Sequence, residues 1–374
     1  MAHNAFVIET QPPRISVNLA QQRLELHPLW LRERSPHPEQ LDAITEQRLF
    51  NPHQLDPALT LLQLRDEGAG RVWLSFSDGH QAHYDLNAFA ADFDLQDGIP
   101  AMQPWDARLE LDALRFHWPA LADDGQLFEA LDCFLRQGAL IIDGVPTEPD
   151  SILEVAARFG HVRETNFGKR FEVYSRPDSD DLAYRAVALD PHTDNPYREP
   201  VPGIQLLHCL VNETRGGQST LVDSLSAIER LRAADPEGFE LLATVPVRYR
   251  YRGADIELLQ RRPIIDTDHA GQVLGVHYSP RLDYSPLLPP ATFSHFHRAR
   301  QCLGQWFSDP ELELRFTLKP GELMLFDNSR VLHGRTAYDP REGHRHLQGC
   351  YIDIDAPRGR YRALRRRLQQ EPRA

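Results

Sequence analysis

Two stretches of the first 96 residues show the hydrophobic and polar pattern of half-buried β-strands. The stretch RISVNLAQQRLELH predicts a strand, a turn and a second strand, and RVWLSFSDGHQAHYDL predicts a hairpin that turns at Asp78-Gly79. A short helix is expected in LNAFAADF, directly after the hairpin. Residues 1–96 are therefore expected to form a small β-rich N-terminal domain.

The pattern changes at residues 97–106, DGIPAMQPWD, which contain one glycine and two prolines and show no periodicity. We expect a domain boundary here and a second domain over residues 107–374. The second domain begins with two helical patterns, DGQLFEALDCFLRQG and EPDSILEVAARFG, which end on Gly138 and Gly160. The apolar segment ALIIDGVP between them predicts a buried strand.

Beyond residue 180 the chain consists of short apolar segments separated by Gly, Pro or Asn. GIQLLHCLV, QSTLVD, GQVLGVHYS, ELRFTL, ELMLFDN and LQGCYIDID each predict a strand, and residues 290–308 predict a helical insert. Many short strands with turn residues between them favour a β-barrel or a β-sandwich. The basic segment RGRYRALRRRLQQEPRA is expected to be a solvated helix or a frayed end, in preference to an interaction tail.

Composition narrows the class of function. The length of 374 residues favours two domains, and the formal net charge of −13 argues against general binding to nucleic acids or to a membrane surface. No apolar run approaches the roughly 20 residues of a transmembrane helix, and MAHNAFVIETQPPR lacks the features of a secretory signal. The four cysteines are scattered, so we expect reduced thiols, a cytoplasmic protein, and nitrogen and oxygen ligands for any bound metal.

The segment DPHTDNPYREP places His192 and Asp194 two residues apart, so in an extended chain both side chains point to the same side. This pair could bind one edge of a metal ion, but His-x-Asp is common and also suits a polar turn. His333, in GELMLFDNSRVLHGR, supplies a third ligand after a β-rich interval. Two histidines and one carboxylate are the ligands of many non-haem Fe(II) sites.

Arg345 lies twelve residues after His333. A guanidinium is permanently charged and pairs with a carboxylate through two parallel hydrogen bonds, which suits a dicarboxylate cosubstrate. The order His-x-Asp, then His, then Arg is far more specific than any one of its parts.

These blocks resemble the Fe(II)/2-oxoglutarate oxygenases, and among them the γ-butyrobetaine and trimethyllysine hydroxylase branch of the TauD superfamily. The matching text is HTDNPYREPVPGIQLLHCL, GGQSTLVD, KPGELMLFDNSRVLHGR and RHLQGCYIDID, with LHPLWLRER and SDGHQAHY in the N-terminal part. The resemblance implies a mainly β fold with helices, in which a double-stranded β-helix (jelly-roll) catalytic core follows the small N-terminal domain. It also implies a homodimer.

The resemblance implies iron ligands and two contacts to the cosubstrate. The residues at the Fe(II)-ligand positions are His192, Asp194 and His333. The distal carboxylate of 2-oxoglutarate would pair with Arg345, and Leu207 would contact the same molecule.

An aromatic cage for a trimethylammonium group is also implied, at Phe167, Phe171, Tyr184 and Tyr351. A quaternary ammonium cannot donate a hydrogen bond, but it is attracted to the faces of aromatic rings by about 0.5–2 kcal/mol. Ordinary core packing is the alternative explanation for the two phenylalanines.

The chain departs from the family pattern in two places. The zinc-binding cysteines of the N-terminal domain are absent, since Ser35, His37 and Gln40 occupy that stretch and only His80 remains, so we expect no zinc. Asp181 stands where the family commonly has an asparagine close to 2-oxoglutarate, and an additional carboxylate there would require a nearby cation.

Together these features predict an Fe(II)- and 2-oxoglutarate-dependent dioxygenase that hydroxylates a small trimethylammonium zwitterion similar to γ-butyrobetaine. Asn195, Arg198 and Arg281 are candidates for binding its anionic end. Because arginine binds a phosphonate as well as a carboxylate, 2-(trimethylammonio)ethylphosphonate or another betaine is an alternative substrate. The alternatives from other classes are a non-catalytic binding module on the same fold and a cupin-like zinc hydrolase or isomerase.

Overall fold

The structure is a computed structural model that describes residues 6–19, 22–93, 97–174, 188–339 and 341–370. The chain packs as two compact units, Met1–Gly98 and Ile99–Ala374. Within the described ranges, no helix combines the length and apolar composition that crossing a bilayer requires.

The first unit contains two three-stranded antiparallel sheets with strand orders β1-β2-β3 and β4-β5-β6. The strands are β1 (Phe6–Thr10), β2 (Pro13–Leu19), β3 (Gln22–Glu25), β4 (Leu61–Gly68), β5 (Arg71–Phe76) and β6 (Gln81–Asp85). Helix α1 spans Pro28–Glu33, and 3₁₀ helices span Pro52–Gln54 and Leu86–Phe93. Both predicted hairpins and the short helix that follows them are therefore present.

A polar cluster occupies the part of the first unit that contains Ser35, Gln40 and His80. The Arg32 guanidinium donates to Asp78 Oδ2 over 2.8 Å and to Gln40 Oε1 over 3.1 Å. Ser35 Oγ and His80 Nε2 form a hydrogen bond of 2.7 Å. These groups satisfy one another through hydrogen bonds and an ion pair, which is how buried polar groups avoid the cost of lost hydration.

The second unit is built on two sheets. A six-stranded sheet has the order β7-β8-β19-β11-β21-β9, and a four-stranded sheet has the order β10-β20-β12-β18. Their strands are β7 (Arg115–His117), β8 (Ala139–Asp143), β9 (Phe171–Tyr174), β10 (Leu189–His192), β11 (Ile204–Asn212), β12 (Ser219–Asp223), β18 (Glu313–Phe316), β19 (Leu323–Asp327), β20 (Val331–Arg335) and β21 (Arg345–Ile352). One apolar cluster takes side chains from both sheets, including Leu207 and Phe326 from the larger and Leu221 and Val331 from the smaller. The sheets therefore face each other, as expected for a double-stranded β-helix.

Helices cover the outer face of the six-stranded sheet. The helices of this unit are α2 (Asp124–Gln137), α3 (Ser151–Phe159), α4 (Ser224–Ala234), α5 (Pro236–Thr244), α6 (Pro290–Phe307) and α7 (Asp355–Gln370), with 3₁₀ helices at Leu111–Leu114 and Trp118–Ala122. Helix α2 ends on Gly138, whose φ of 76° is the left-handed conformation that favours glycine at this position. Alternate residues of β11, such as Ile204 and Leu206, share a core with α2 and α3.

The long segment between β12 and β18 carries more structure than the sequence pattern indicated. Besides α6 and the strand β16 (Val273–Val276), which the sequence predicted, it contains α4 and α5 and the strands β13 (Val247–Arg252), β14 (Glu257–Arg262), β15 (Ile265–Thr267) and β17 (Asp283–Tyr284). These elements pack on the outer face of the four-stranded sheet, where Val222 and Leu332 share their core.

The basic C-terminal segment is not merely a solvated helix or a frayed end. Within α7, Tyr361 and Leu364 are buried against the core that α2 and α3 share, and the Tyr361 ring stacks on Phe128 at 4.7 Å between centroids. The arginines of the helix obscured this apolar stripe in the sequence. Residues 97–106, expected as a boundary, include the buried Trp105, whose indole Nε1 donates to the Gln137 carbonyl over 2.6 Å.

A buried ion pair joins the start of the second unit to the four-stranded sheet. The Arg330 guanidinium pairs with both oxygens of Asp223, at 3.0 and 2.8 Å, and also donates to the carbonyls of Arg136 and Gln103. Asp223 accepts further hydrogen bonds from the backbone N–H groups of Trp105 and Leu225, and it caps α4. Both side chains are almost completely buried, yet every charged atom has a partner.

We expect Arg330→Met to lower the free energy of unfolding by about 3–5 kcal/mol, because Asp223 would remain buried without its counter-charge. The measurement is urea unfolding of the full chain. The matched control is Arg341→Met, which removes an exposed arginine and should leave the unfolding midpoint unchanged. A variant whose midpoint equals that of the control would contradict the structural role assigned to the pair.

Candidate metal centre

Two neighbouring strands place a pair of histidines side by side. His192 ends β10 and lies directly opposite His333 of β20, with 4.4 Å between the ring centroids. Asp194 follows two residues after His192, as the strand ends. One ligand atom from each of these three residues lies within 4.8 Å of the others, and this is the only such group of His, Cys, Asp and Glu among the described residues.

The orientation of the triad is fixed by hydrogen bonds to its backbone and rings. His192 Nδ1 is 2.8 Å from the Asp190 carbonyl, which can only accept, so Nδ1 carries the proton and Nε2 presents its lone pair. The fully buried Asn328 accepts from the Asp194 N–H over 2.7 Å and donates to the Asp194 carbonyl over 3.0 Å. The chain therefore holds both ligand-bearing residues before any metal binds.

The protonation states suit metal binding. Burial and the neighbouring His192 lower the pKa of His333 to about 3, so its imidazole is neutral at physiological pH. Burial by itself would raise the pKa of Asp194, but the two histidines and the Tyr351 hydroxyl together hold it below its ordinary value. A neutral imidazole and an ionised carboxylate are the forms that coordinate a metal.

The triad opens on a small cavity of about 100 Å³ between the two sheets. Leu207, Phe171 and Arg345 line it together with the triad. Gln205 also lines it, and the buried Oε1 of Gln205 has no hydrogen-bond partner within the described part of the chain. The cavity is thus lined by candidate metal ligands, by apolar side chains and by a buried amide oxygen that has no hydrogen-bond partner among the described residues.

Arg345 is a buried cation that forms no ion pair with any residue the structure describes. It is 6% exposed, and its guanidinium makes one long hydrogen bond, from Nη2 to the Gly217 carbonyl at 3.4 Å. Its Nε and Nη1 are buried, and neither has a partner among the described residues. Burial and the nearby charge of Arg335 lower the pKa of Arg345 to about 10, which still leaves it protonated at neutral pH. An unpaired buried charge is costly, so the site is suited to an anionic ligand.

The predicted cage residues fall into two groups. Phe171 lines the cavity, and its ring centroid is 5.3 Å from that of Tyr351. The Tyr351 hydroxyl donates to Asp194 Oδ2 over 2.8 Å. Burial and this carboxylate raise the pKa of Tyr351 well above its ordinary value, so the hydroxyl keeps its proton.

Phe167 packs with different rings. Among the described residues, the Phe167 ring contacts that of Tyr251 at 6.0 Å between centroids, and Tyr251 in turn stacks on Tyr197 at 5.1 Å. Tyr197 donates its hydroxyl proton to Asn195 Oδ1 over 2.5 Å. Neither Tyr197 nor Tyr251 was singled out from the sequence.

The other predicted site residues lie in varied surroundings. Asn195 is buried beside Asp194 and has a φ of 56°, a left-handed conformation that asparagine tolerates better than most residues. Arg198 donates to Asn166 Oδ1 and lies near the Phe167 and Tyr197 rings. Arg281 is exposed, but its charge helps to lower the pKa of His333. Asp181 and Tyr184 lie outside the described residues.

Sequence reasoning missed two contributors to this site. Gln205 alternates with Leu207 on β11, so the period of two could have placed both on the cavity face. Asn328 lies one residue beyond β19, and nothing in its sequence context indicates that it reaches across to Asp194.

Comparisons with known proteins agree with this geometry. A family model described as taurine catabolism dioxygenase TauD, TfdA family, matches residues 99–351. The chain is 34% identical over 360 residues to γ-butyrobetaine dioxygenase of Pseudomonas sp. (strain AK-1), covering 94% of each chain. It is 29% identical over 341 residues to the mitochondrial trimethyllysine dioxygenase of Rattus norvegicus, covering 87% of this chain and 80% of that one.

The fold is also similar to a crystal structure of asparagine oxygenase in complex with Fe(II), (2S,3S)-3-hydroxyasparagine and succinate. The TM-score is 0.50 at 17% identity, over 61% of this chain and 79% of that chain. This likeness, together with the two facing sheets, confirms the expected jelly-roll core.

If the triad binds a metal, anaerobic calorimetric titration with Mn(II), used as a redox-stable probe, should give one site per chain. His333→Ala should abolish measurable binding, because two remaining ligands cannot hold the ion. The control is His269→Ala, which removes an exposed histidine in a turn and should leave the titration unchanged. Stoichiometric binding of Mn(II) by the His333 variant would show that the metal binds outside the triad.

Proposed function

The chain belongs to the TauD/TfdA family of dioxygenases, and from this premise we propose that it is an Fe(II)- and 2-oxoglutarate-dependent hydroxylase of a small trimethylammonium zwitterion. One observation carries the proposal: the metal-ligand triad and the unpaired guanidinium of Arg345 open on the same cavity. A site that binds only a metal has no need of a buried, unpaired cation beside it.

In this proposal His192, Asp194 and His333 would hold Fe(II), since two histidines and one carboxylate are the ligands of many non-haem iron sites. The Arg345 guanidinium binds the distal carboxylate of 2-oxoglutarate through its two unpartnered donors, and Leu207 supplies apolar contact to the same molecule. Bound iron, with 2-oxoglutarate and O2, supplies the chemistry that converts a C–H bond to an alcohol and yields succinate and CO2. The chain itself holds both substrates and shields them from water.

The substrate class is proposed from the aromatic residues and from the relatives. Proteins named γ-butyrobetaine dioxygenase and trimethyllysine dioxygenase match most of the chain. Phe171 and Tyr351 would provide ring faces for the trimethylammonium group next to the metal, while Phe167 would contribute from the neighbouring group of rings. γ-Butyrobetaine is therefore the first substrate to test.

The anionic end of the substrate would be bound on the side of Asn195 and Arg198. Asn195 Nδ2 and Arg198 Nε are buried, and neither has a hydrogen-bond partner among the described residues. Arg281 offers a further positive charge near the triad. Because such donors accept a phosphonate as readily as a carboxylate, 2-(trimethylammonio)ethylphosphonate is the second candidate substrate.

We also propose that the protein is cytoplasmic and acts as a homodimer. The four cysteines are free thiols, which suits a reducing compartment. Sedimentation equilibrium of the purified chain would test the oligomeric state.

Succinate formation should require Fe(II), 2-oxoglutarate, O2 and a trimethylammonium substrate together. We expect turnover with at least one of γ-butyrobetaine, trimethyllysine and 2-(trimethylammonio)ethylphosphonate, measured as succinate and hydroxylated product by mass spectrometry. Asp194→Ala is the inactive control. Saturable binding of these compounds without succinate would favour a binding module, whereas turnover of another substrate without 2-oxoglutarate would favour a cupin-like hydrolase or isomerase.

Arg345→Met should raise the KM for 2-oxoglutarate by roughly 10- to 100-fold, because each hydrogen bond between charged groups contributes about 1.5–3 kcal/mol. The affinity for Mn(II) alone should change little. Arg341→Met, which removes an exposed arginine four residues earlier, is the control. An unchanged KM for 2-oxoglutarate in the Arg345 variant would show that Arg345 does not bind this cosubstrate.

A further inference from the structure

The carboxylate of Asp194 is held at one of its two oxygens. Oδ1 is 3.5 Å from His192 Nε2. Oδ2 accepts the Tyr351 hydroxyl over 2.8 Å and is 3.9 Å from His333 Nε2. The two oxygens therefore differ, because Oδ2 is occupied by the Tyr351 hydroxyl whereas Oδ1 lies next to His192 Nε2.

This bond matters because the other hydrogen bonds to Asp194 among the described residues, apart from the longer contact with His192, are made by its backbone. Asn328 binds the N–H and the carbonyl of Asp194, but neither contact restricts rotation of the carboxylate about the side-chain bonds. Within the described residues, the only hydroxyl that reaches this carboxylate belongs to Tyr351. Without that donor, the carboxylate could rotate and present either oxygen, or both.

The ring of Tyr351 is fixed independently of its hydroxyl. Tyr351 lies in β21, where it pairs with Gln205 of β11, and its ring packs against Phe171. Gly349, two residues earlier on the same face of β21, makes this possible, since a Cβ at that position would overlap the Phe171 ring. The strand therefore holds the phenol rigidly enough for its hydroxyl to define where the carboxylate points.

We propose that Tyr351 is a positioning residue for the metal centre, whose hydroxyl orients Asp194 so that Oδ1 faces the metal, while its ring borders the substrate. The proposal rests on the proposed function in one respect, namely that the triad binds a metal. It goes beyond the cage role, because that role uses the aromatic ring and has no need of the hydroxyl.

Tyr351→Phe separates the two roles, since it removes one oxygen atom and keeps the ring. We expect the affinity for Mn(II), measured by anaerobic calorimetric titration, to fall on the order of 10-fold, as is typical when a hydrogen-bond partner of a metal ligand is lost. The KM for γ-butyrobetaine should change less than the metal affinity does. Phe171→Leu should show the opposite pattern, with a KM that rises by a larger factor than the Mn(II) affinity falls.

Tyr361→Phe is the matched control. Its hydroxyl donates to Asp132 Oδ1 over 2.9 Å, so the substitution also removes a tyrosine–aspartate hydrogen bond, but within the α2–α7 contact. It should leave Mn(II) affinity unchanged. Thermal unfolding of all variants would identify any general loss of structure, which would lower Mn(II) affinity and the unfolding midpoint together.

The outcomes distinguish this proposal from the function on which it rests. If the wild-type chain binds no Mn(II), the assignment of His192, Asp194 and His333 as metal ligands is wrong. If the wild-type chain binds Mn(II) and Tyr351→Phe, with an unchanged unfolding midpoint, binds it equally well, the positioning role is overturned while the metal site stands. Weaker Mn(II) binding at an unchanged midpoint supports the role, and loss of affinity only in proportion to lost stability counts against it.

Discussion

The pairing of β10 with β20 is the constraint on which the site depends. Residues directly opposite each other in an antiparallel pair project to the same face, so the register that sets His192 against His333 also sets both imidazoles against Asp194. A shift by one residue would turn one histidine to the other face of the sheet. The register is held by neighbours on both sides, since β20 also pairs with β12, where Leu221 lies opposite His333. The metal centre is thus a consequence of sheet alignment as much as of the residues that compose it.

Two buried arginines of the second unit differ in how many hydrogen-bond partners the described residues provide for their guanidinium groups. Arg330 has an ionised partner and two carbonyl acceptors, so its charge is neutralised within the protein and serves to join segments distant in sequence. Arg345 is nearly as buried, but two of its nitrogens have no partner in the described chain. Desolvating a guanidinium without compensation is unfavourable, and such a feature persists only where the surrounding structure enforces it. The difference in hydrogen bonding, rather than in burial, is what supports the proposal that Arg345 binds an anionic ligand.

Local features of the fold were predictable because they depend on short-range patterns. Alternation identified the hairpins of the first unit and most strands of the jelly roll, and Gly138 marked the end of α2. The metal triad and Arg345 were predictable from their order, which the resemblance to the oxygenases made specific. What could not be predicted depends on contacts between distant segments. Asn328 binds Asp194, from which it is separated by 134 residues in the chain. Tyr361 of α7 is buried, although arginines dominate the sequence of that helix.

The separation of Phe167 from Phe171 is the clearest case of this limit. Four residues apart, they were assigned to one cage, yet Phe171 lies in β9 beside the metal cavity and Phe167 precedes that strand and packs on Tyr251. Tyr197 belongs to the latter group and binds Asn195, the residue next to the metal-ligand aspartate. One group of rings thus adjoins Asp194 through Tyr351, and the other is linked to it through Asn195. The segment NPYRE, which follows Asp194, supplies both Asn195 and Tyr197, so it connects the second group of rings to the residue next to Asp194.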